Sequence, residues 1–165
     1  MTGPRQVAVV DIDGVLADVR HRLRHVRHEP KRWDAFFAAA RDDEPLAEGL
    51  EVARRLAEAY DVVYLSGRPE RCRRDTEDWF SRHGVPAGEL RLRREGDRRP
   101  ARVVKVGELR RLARDAEVVV LVDDDPEVCE AARAAGFDVL PATWMPEERG
   151  DAAALREAQE DEGRS

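Results

Sequence analysis

At 165 residues the chain has the size of one domain, and with 42% hydrophobic residues it can bury a core, which excludes a disordered or fibrous protein. The charged fraction is high at 39% but both signs are present, and a formal net charge of -6 excludes nucleic-acid binding through a uniformly basic surface. No apolar run approaches the ~20 residues of a membrane span, and Cys72 and Cys129 lie far apart without a C-x-x-C, so a reduced, cytoplasmic protein with no membrane contact is expected.

The first predicted strand is the apolar run from Val7, which ends in Asp11-Ile12-Asp13-Gly14. Two carboxylates at a strand tip repel each other and lose hydration, so a metal or a reaction explains them better than a solvated turn does. From Arg20 to Arg32 six basic residues stand against Glu29 alone. His21, His25 and His28 lie among five arginines, whose charge disfavours a cation, and are expected to be solvated. Arg32 to Arg41 reads as a short helix with Trp33, Phe36, Phe37 and Ala40 on one stripe. Asp42 to Pro45 is a break, and Leu46 to Tyr60 is a longer helix turning Leu50, Ala53, Leu56 and Ala57 inward.

Val62 to Leu65 is the second strand, ending in Ser66-Gly67-Arg68-Pro69. The next helix, Glu70 to His83, carries stop signals at Gly84 and Pro86. Leu90 to Arg93 is a short strand that opens a second basic cluster, in which seven basic residues up to Lys105 face only Glu95 and Asp97. A loop through Gly96, Asp97 and Pro100 leads to a helix from about Arg102 to Arg114. Lys105 in its first turn opposes the helix dipole and is expected to have an anionic partner. Val118 to Val122 is the strongest strand and ends in Asp123-Asp124-Asp125-Pro126. A helix from Glu127 to Ala135, a last strand from Phe137 to Leu140, and an amphipathic helix with an acidic end beyond Pro146 complete the chain.

Alternating strands and amphipathic helices predict an α/β layered fold with a mainly parallel sheet. In such a sheet the C-terminal strand ends share one edge, where ligands bind, and Asp11, Asp13, Ser66, Asp123 and Asp124 all fall there. Carboxylates meeting in one crevice call for a hard cation, and Mg²⁺ suits a site with few protein oxygens and a phosphate to share.

D-I-D-G-V-L-A-D, L-S-G-R, Lys105 and V-D-D-D-P, in that order, resemble the four motifs of the haloacid-dehalogenase superfamily of phosphohydrolases. Within it the chain is similar to the 3′-phosphatase domain of phage-type polynucleotide kinase, which shares the S-G-R, the G-V-P at Gly84 to Pro86, the R-x-x-G-D-x-R loop at Arg93 to Arg99, and V-V-K at Val103 to Lys105. That family carries an acid just before V-V-K, whereas this chain has Pro100, Ala101 and Arg102. No G-x-x-x-x-G-K-[ST] loop occurs, so this chain does not supply a kinase activity. The resemblance implies a three-layer Rossmann-like core over residues 1–145 with a minimal cap insertion at about 20–46, followed by a C-terminal helix and acidic tail over 146–165.

It also implies roles. Asp11 is the nucleophile that forms an aspartyl-phosphate, and Asp13 is the general acid and then base. Mg²⁺ is held by Asp11, the backbone carbonyl of Asp13, and Asp123 or Asp124. Ser66 and Lys105 bind phosphoryl oxygens. Gly67 belongs to the matching S-G-R turn, and Arg22, Arg68 and Arg93 are placed to contact substrate phosphates, with surface salt bridges the alternative for Arg22 and Arg93. The short insertion leaves an open cleft between two basic segments, which suits a polymer end. Trp33 or Trp144 stacks on a terminal base or, as tryptophans more commonly do, packs in the core. The expected activity is therefore a Mg²⁺-dependent 3′-phosphatase of DNA or RNA ends, acting beside a separate kinase or ligase. A phosphatase of nucleotides or other small esters is the alternative. A receiver-like module, which would need an aspartate where Ser66 stands, and a scaffold are further ones.

Overall fold

The structure is a computed structural model and describes residues 3–146. Its centre is a five-stranded sheet in the order β5-β4-β1-β6-β7, built from β1 (Arg5–Val10), β4 (Asp61–Pro69), β5 (Glu89–Arg93), β6 (Ala116–Asp123) and β7 (Val139–Pro141). All four pairings are parallel. The middle strand is apolar on both faces because both are covered: Val7 and Val9 pack on one side, and Val10 continues into Ile12 on the other.

Helices α2 (Ala47–Ala59) and α3 (Arg73–His83) supply Leu50, Ala53 and Trp79 to the core on one face. Helices α4 (Ala101–Leu112) and α5 (Pro126–Ala134) supply Leu109, Leu112, Val128 and Ala132 on the other. These three layers are the expected Rossmann-like architecture. A 3-10 helix at Arg20–His25, α1 (Trp33–Ala38) and a second 3-10 helix at Ala39–Asp42 form the insertion after β1, around Leu23, Val26, Phe36 and Phe37.

Some boundaries differ from expectation for local reasons. The second strand runs on to Pro69 because Pro69 pairs with Arg93 across a register shift. The helix expected at Glu70 begins with a 3-10 turn, Glu70–Cys72, and becomes regular at Arg73. The predicted break at Asp42 to Pro45 contains β3 (Glu44–Pro45), which pairs antiparallel with β2 (Ala17–Asp18) and ties the end of the insertion to the motif after β1. The helix expected beyond Pro146 lies outside the described residues. Among the described residues no helix is long and apolar enough to cross a membrane.

Both tryptophans named as stacking candidates have packing partners. Trp33 lies against Phe36 and Phe37 with ring centroids 5.8 and 6.1 Å away. Trp144 donates its Nε1–H to the Val15 carbonyl at 2.8 Å and packs on the core beside α2.

Candidate active site

The tips of β1, β4 and β6 meet at one edge of the sheet, with the first turns of α4 above them. Asp11 continues the pairing of β1, its N–H donating to Val122 O at 2.9 Å, so its side chain is set by the sheet itself. One carboxylate oxygen, Oδ1, accepts from the Ile12 N–H at 2.8 Å and lies 3.2 Å from Lys105 Nζ. The other, Oδ2, is buried and accepts no hydrogen bond. Asp123 is saturated differently: Oδ1 accepts from the Asp125 N–H at 2.9 Å and Oδ2 from Lys105 Nζ at 2.6 Å. Asp124 brings another buried oxygen, Oδ1, that accepts nothing.

Carboxylate oxygens of Asp11, Asp123 and Asp124 lie within 4.8 Å of one another. Gly14 makes room for this cluster. Its φ is +79°, and a Cβ there would overlap the carboxylate of Asp124. Asp125, the third acid of the run, serves the fold by capping α5 through the Glu127 N–H at 2.9 Å.

A single ammonium does not balance three clustered carboxylates, two of them buried and the third half-buried. Burial pushes Asp11 up to about 7, with Asp123 and Asp13 adding to the effect and Lys105 pulling against it. Burial raises Asp124 as well, reinforced by Asp11 and Asp123. Burial alone would lower Lys105, but Asp11 and Asp123 outweigh it and keep the amine charged. Three hard oxygen ligands, two of them with an orphaned atom, fit a divalent cation of the Mg²⁺ type.

The Asp13 carboxylate belongs to a second charge cluster. Its Oδ1 accepts from Arg68 Nη2 at 2.6 Å, Arg68 Nε at 3.0 Å and Arg22 Nη2 at 2.9 Å. Burial would raise Asp13, but Arg68 and Arg22 outweigh it and hold the group at about 2. Arg22 is fully buried, so the surface salt bridge considered for it is replaced by an internal one. Its guanidinium lies 4.4 Å from the Phe36 ring centroid and forms a two-pronged pair with Asp43, Nε to Oδ1 at 2.9 Å and Nη2 to Oδ2 at 3.0 Å.

Asp43 is the group that sequence reasoning missed. It accepts from Arg22, takes a longer 3.3 Å bond from Arg68 Nη2, and lies 2.6 Å from His21 Nε2, which therefore is not a merely solvated histidine. Its own carbonyl is fixed by Trp79 Nε1 at 2.9 Å. Thr76, also missed, accepts from Arg68 Nη1 at 3.0 Å. Ser66 sits inside β4 and accepts the Arg68 N–H at 3.1 Å, which leaves its hydroxyl proton free to donate. Gly67 follows within the same strand. Arg93 is buried at the end of β5, where its Nη1 donates to the carbonyls of Asp97 and Arg99 at 3.2 and 2.6 Å and so shapes the loop that carries the basic cluster.

A parallel α/β sheet with acids on two adjacent strand tips, a serine near the end of a third strand and a lysine reaching the acids from α4 defines a phosphatase of the haloacid-dehalogenase type. Residues 5–143 match the family model of the polynucleotide kinase PNKP phosphatase domain, and the chain belongs to that family. No curated protein matches it in sequence.

Among solved structures it is similar to a chain of a Pnkp1/Rnl/Hen1 complex (TM-score 0.67, 21% identity, 89% of this chain and 49% of that one). A chain of the Pnkp1/Rnl/Hen1 RNA repair complex gives a TM-score of 0.70 at 20% identity, over 89% of this chain and 45% of that one. A haloacid dehalogenase-like hydrolase from Streptococcus pneumoniae has the same fold, with a TM-score of 0.63 at 13% identity over 90% of each chain. The chain thus spans about half the length of the two complex-derived chains it matches.

Proposed function

We infer that this phosphatase removes 3′-phosphate groups from DNA or RNA ends, with Mg²⁺ as cofactor and an aspartyl-phosphate as intermediate. The observation that carries the reading is Asp11 Oδ2, a buried carboxylate oxygen with no hydrogen-bond donor, next to an ammonium and at the meeting point of three strand tips. Asp11 Oδ2 attacks phosphorus, the bond from phosphorus to the 3′ oxygen breaks, and Asp13 gives its proton to that oxygen. Water then attacks the acyl phosphate, Asp13 takes the proton back, and inorganic phosphate leaves.

Asp11, Asp123 and Asp124, with the Asp13 carbonyl, hold the cation, which when bound offsets the repulsion between carboxylate and phosphate. Lys105 and the Ser66 hydroxyl donate to the phosphoryl oxygens, where charge is dense in the transition state. Arg68 and Arg22 turn from Asp13 toward the phosphate, which releases Asp13 to hold a proton. A polymer end is supported by the short insertion, by the two basic clusters and by the family. RNA ends and a neighbouring kinase or ligase are supported by the RNA repair complex to which the chain is similar.

The test compares phosphate release from 3′-phosphorylated and 5′-phosphorylated oligonucleotides and from nucleoside 3′-phosphates, with and without Mg²⁺, for the wild type and Asp11→Asn. The 3′-phosphorylated oligonucleotide is expected to have the highest kcat/KM, and Asp11→Asn to have none. Preference for the mononucleotide would make the protein a small-ester phosphatase, and an active Asp11→Asn would remove the nucleophile.

A further inference from the structure

The second basic cluster builds a groove outside the catalytic crevice. In the pairing of β4 with β5, Val63 lies beside Glu89 and Leu65 beside Arg91, so these β5 side chains share the sheet face that α4 and α5 cover further in. Helix α4 packs over the middle strands and leaves the β5 side of that face to charged side chains. Arg91 reaches Glu89 at 3.0 Å and Glu108 at 3.1 Å, and Arg111 holds the other oxygen of Glu108 at 3.1 Å. Between them is a cavity of about 570 Å³ whose lining runs from Ser66 at the catalytic end to Arg114 just beyond α4.

Seven arginines and four acids line this groove, a formal excess of three positive charges in a chain whose net charge is -6. Three of the four acids are committed to neighbours, Glu70 to Arg73, Glu89 to Arg91 and Glu108 to Arg91 and Arg111, while Asp115, Arg94 and Arg114 have no ion-pair partner among the described residues. A guanidinium has five donors, so an arginine spending one or two on a carboxylate still presents others to a ligand. Five residues of β5 at ~3.3 Å each make a track ~16 Å long, which spans a few nucleotides of a single strand. The occupant that fits is an extended polyanion with regularly spaced phosphates and one end in the catalytic crevice.

We propose that the groove between β5 and α4, walled by Arg91, Arg94, Arg111 and Arg114, binds the backbone phosphates of a single-stranded polynucleotide upstream of its terminal phosphate. This deepens the functional reading above and rests on it for the direction of the strand. The deciding variant is the double charge reversal R111E/R114E, both positions being exposed, Arg111 in the last turn of α4 and Arg114 just beyond it, and outside the catalytic machinery. Two measurements are needed. Fluorescence anisotropy with a labelled 3′-hydroxyl hexanucleotide should show at least tenfold weaker binding for the variant and a log Kd against log salt slope smaller by about 2. Steady-state kinetics on p-nitrophenyl phosphate should be unchanged, which also shows that the variant is folded.

If wild type and variant bind the hexanucleotide equally, or if the wild type does not bind it, the groove proposal is overturned. If binding is lost in the variant but the wild type releases no phosphate from 3′-phosphorylated ends, the groove stands and the 3′-phosphatase reading fails.

Discussion

Asp43→Ala is the most informative perturbation, because Asp43 touches none of the three carboxylates at the strand tips and yet holds the residues around Asp13. Its side chain is fully buried and accepts both prongs of Arg22, the longer bond of Arg68 and the contact of His21. Truncation leaves the guanidinium of Arg22, itself without solvent exposure, with Asp13 as its remaining carboxylate. Breaking one side of a buried charged pair costs about 3–5 kcal/mol, since the surviving charge stays desolvated. At about 2–4 °C per kcal/mol for a chain of this size, Tm should fall by roughly 6–20 °C.

The same change makes Asp13 the only anion for two arginines and should draw it deeper into that pair. Turnover of a 3′-phosphate ester, which needs a proton on its leaving oxygen, should then fall much more than turnover of p-nitrophenyl phosphate, whose leaving group needs none. Scanning calorimetry and the ratio of the two kcat values read these effects separately. A Tm within 2 °C of the wild type would refute the buried-network argument, and equal losses on the two esters would refute the link from Asp43 to Asp13.

Two further predictions concern the acidic trio. In a chelator, stability should fall as pH rises from about 4 to 7: Asp11 holds its proton up to about 7 in the fold but only to its ordinary value near 3.8 when unfolded, so the folded state loses stability as that proton leaves. Asp124→Asn should relieve this, giving a gain of about 1–3 kcal/mol in urea denaturation at pH 8 that shrinks toward zero at pH 5, and a gain independent of pH would disprove the repulsion. Gly14→Ala should cost about 1–2 kcal/mol for its positive φ and weaken Mg²⁺ binding in calorimetry at least tenfold, because its methyl displaces the Asp124 carboxylate; unchanged affinity would show that this close approach does not matter.

The parts of this site that can be read in the sequence are those whose chemistry and backbone signal coincide. Asp11, Ser66 and Asp123 each end an apolar run, so the pattern that predicts the strand also predicts where its tip points its acid or hydroxyl. Asp43 has no such mark. It stands next to Asp42 in a charged break, yet Asp42 is exposed and Asp43 buried, because residues 21 and 36 positions away, Arg22 and Trp79, grip its carboxylate and its carbonyl. Arg22 hides for the same reason: in a run of arginines it reads as a solvated charge, and only Phe36, Asp13 and Asp43 together make its burial tolerable. The β2 and β3 strands, at two residues each, are too short to carry any periodicity.

The two leading acids stand two residues apart and are displaced in opposite directions, Asp11 up to about 7 by burial and neighbouring carboxylates and Asp13 down to about 2 between guanidiniums that outweigh its burial. The proposed reaction needs the reverse, an ionised Asp11 and a protonated Asp13. Each displacement has a cause that substrate or cofactor removes. A bound divalent charge would offset the burial of Asp11 and its repulsion from Asp123 and Asp13, and a phosphate dianion would compete with Asp13 for Arg68 and Arg22. In the proposed reaction both displacements would be offset by the ligands that the same side chains are shaped to hold.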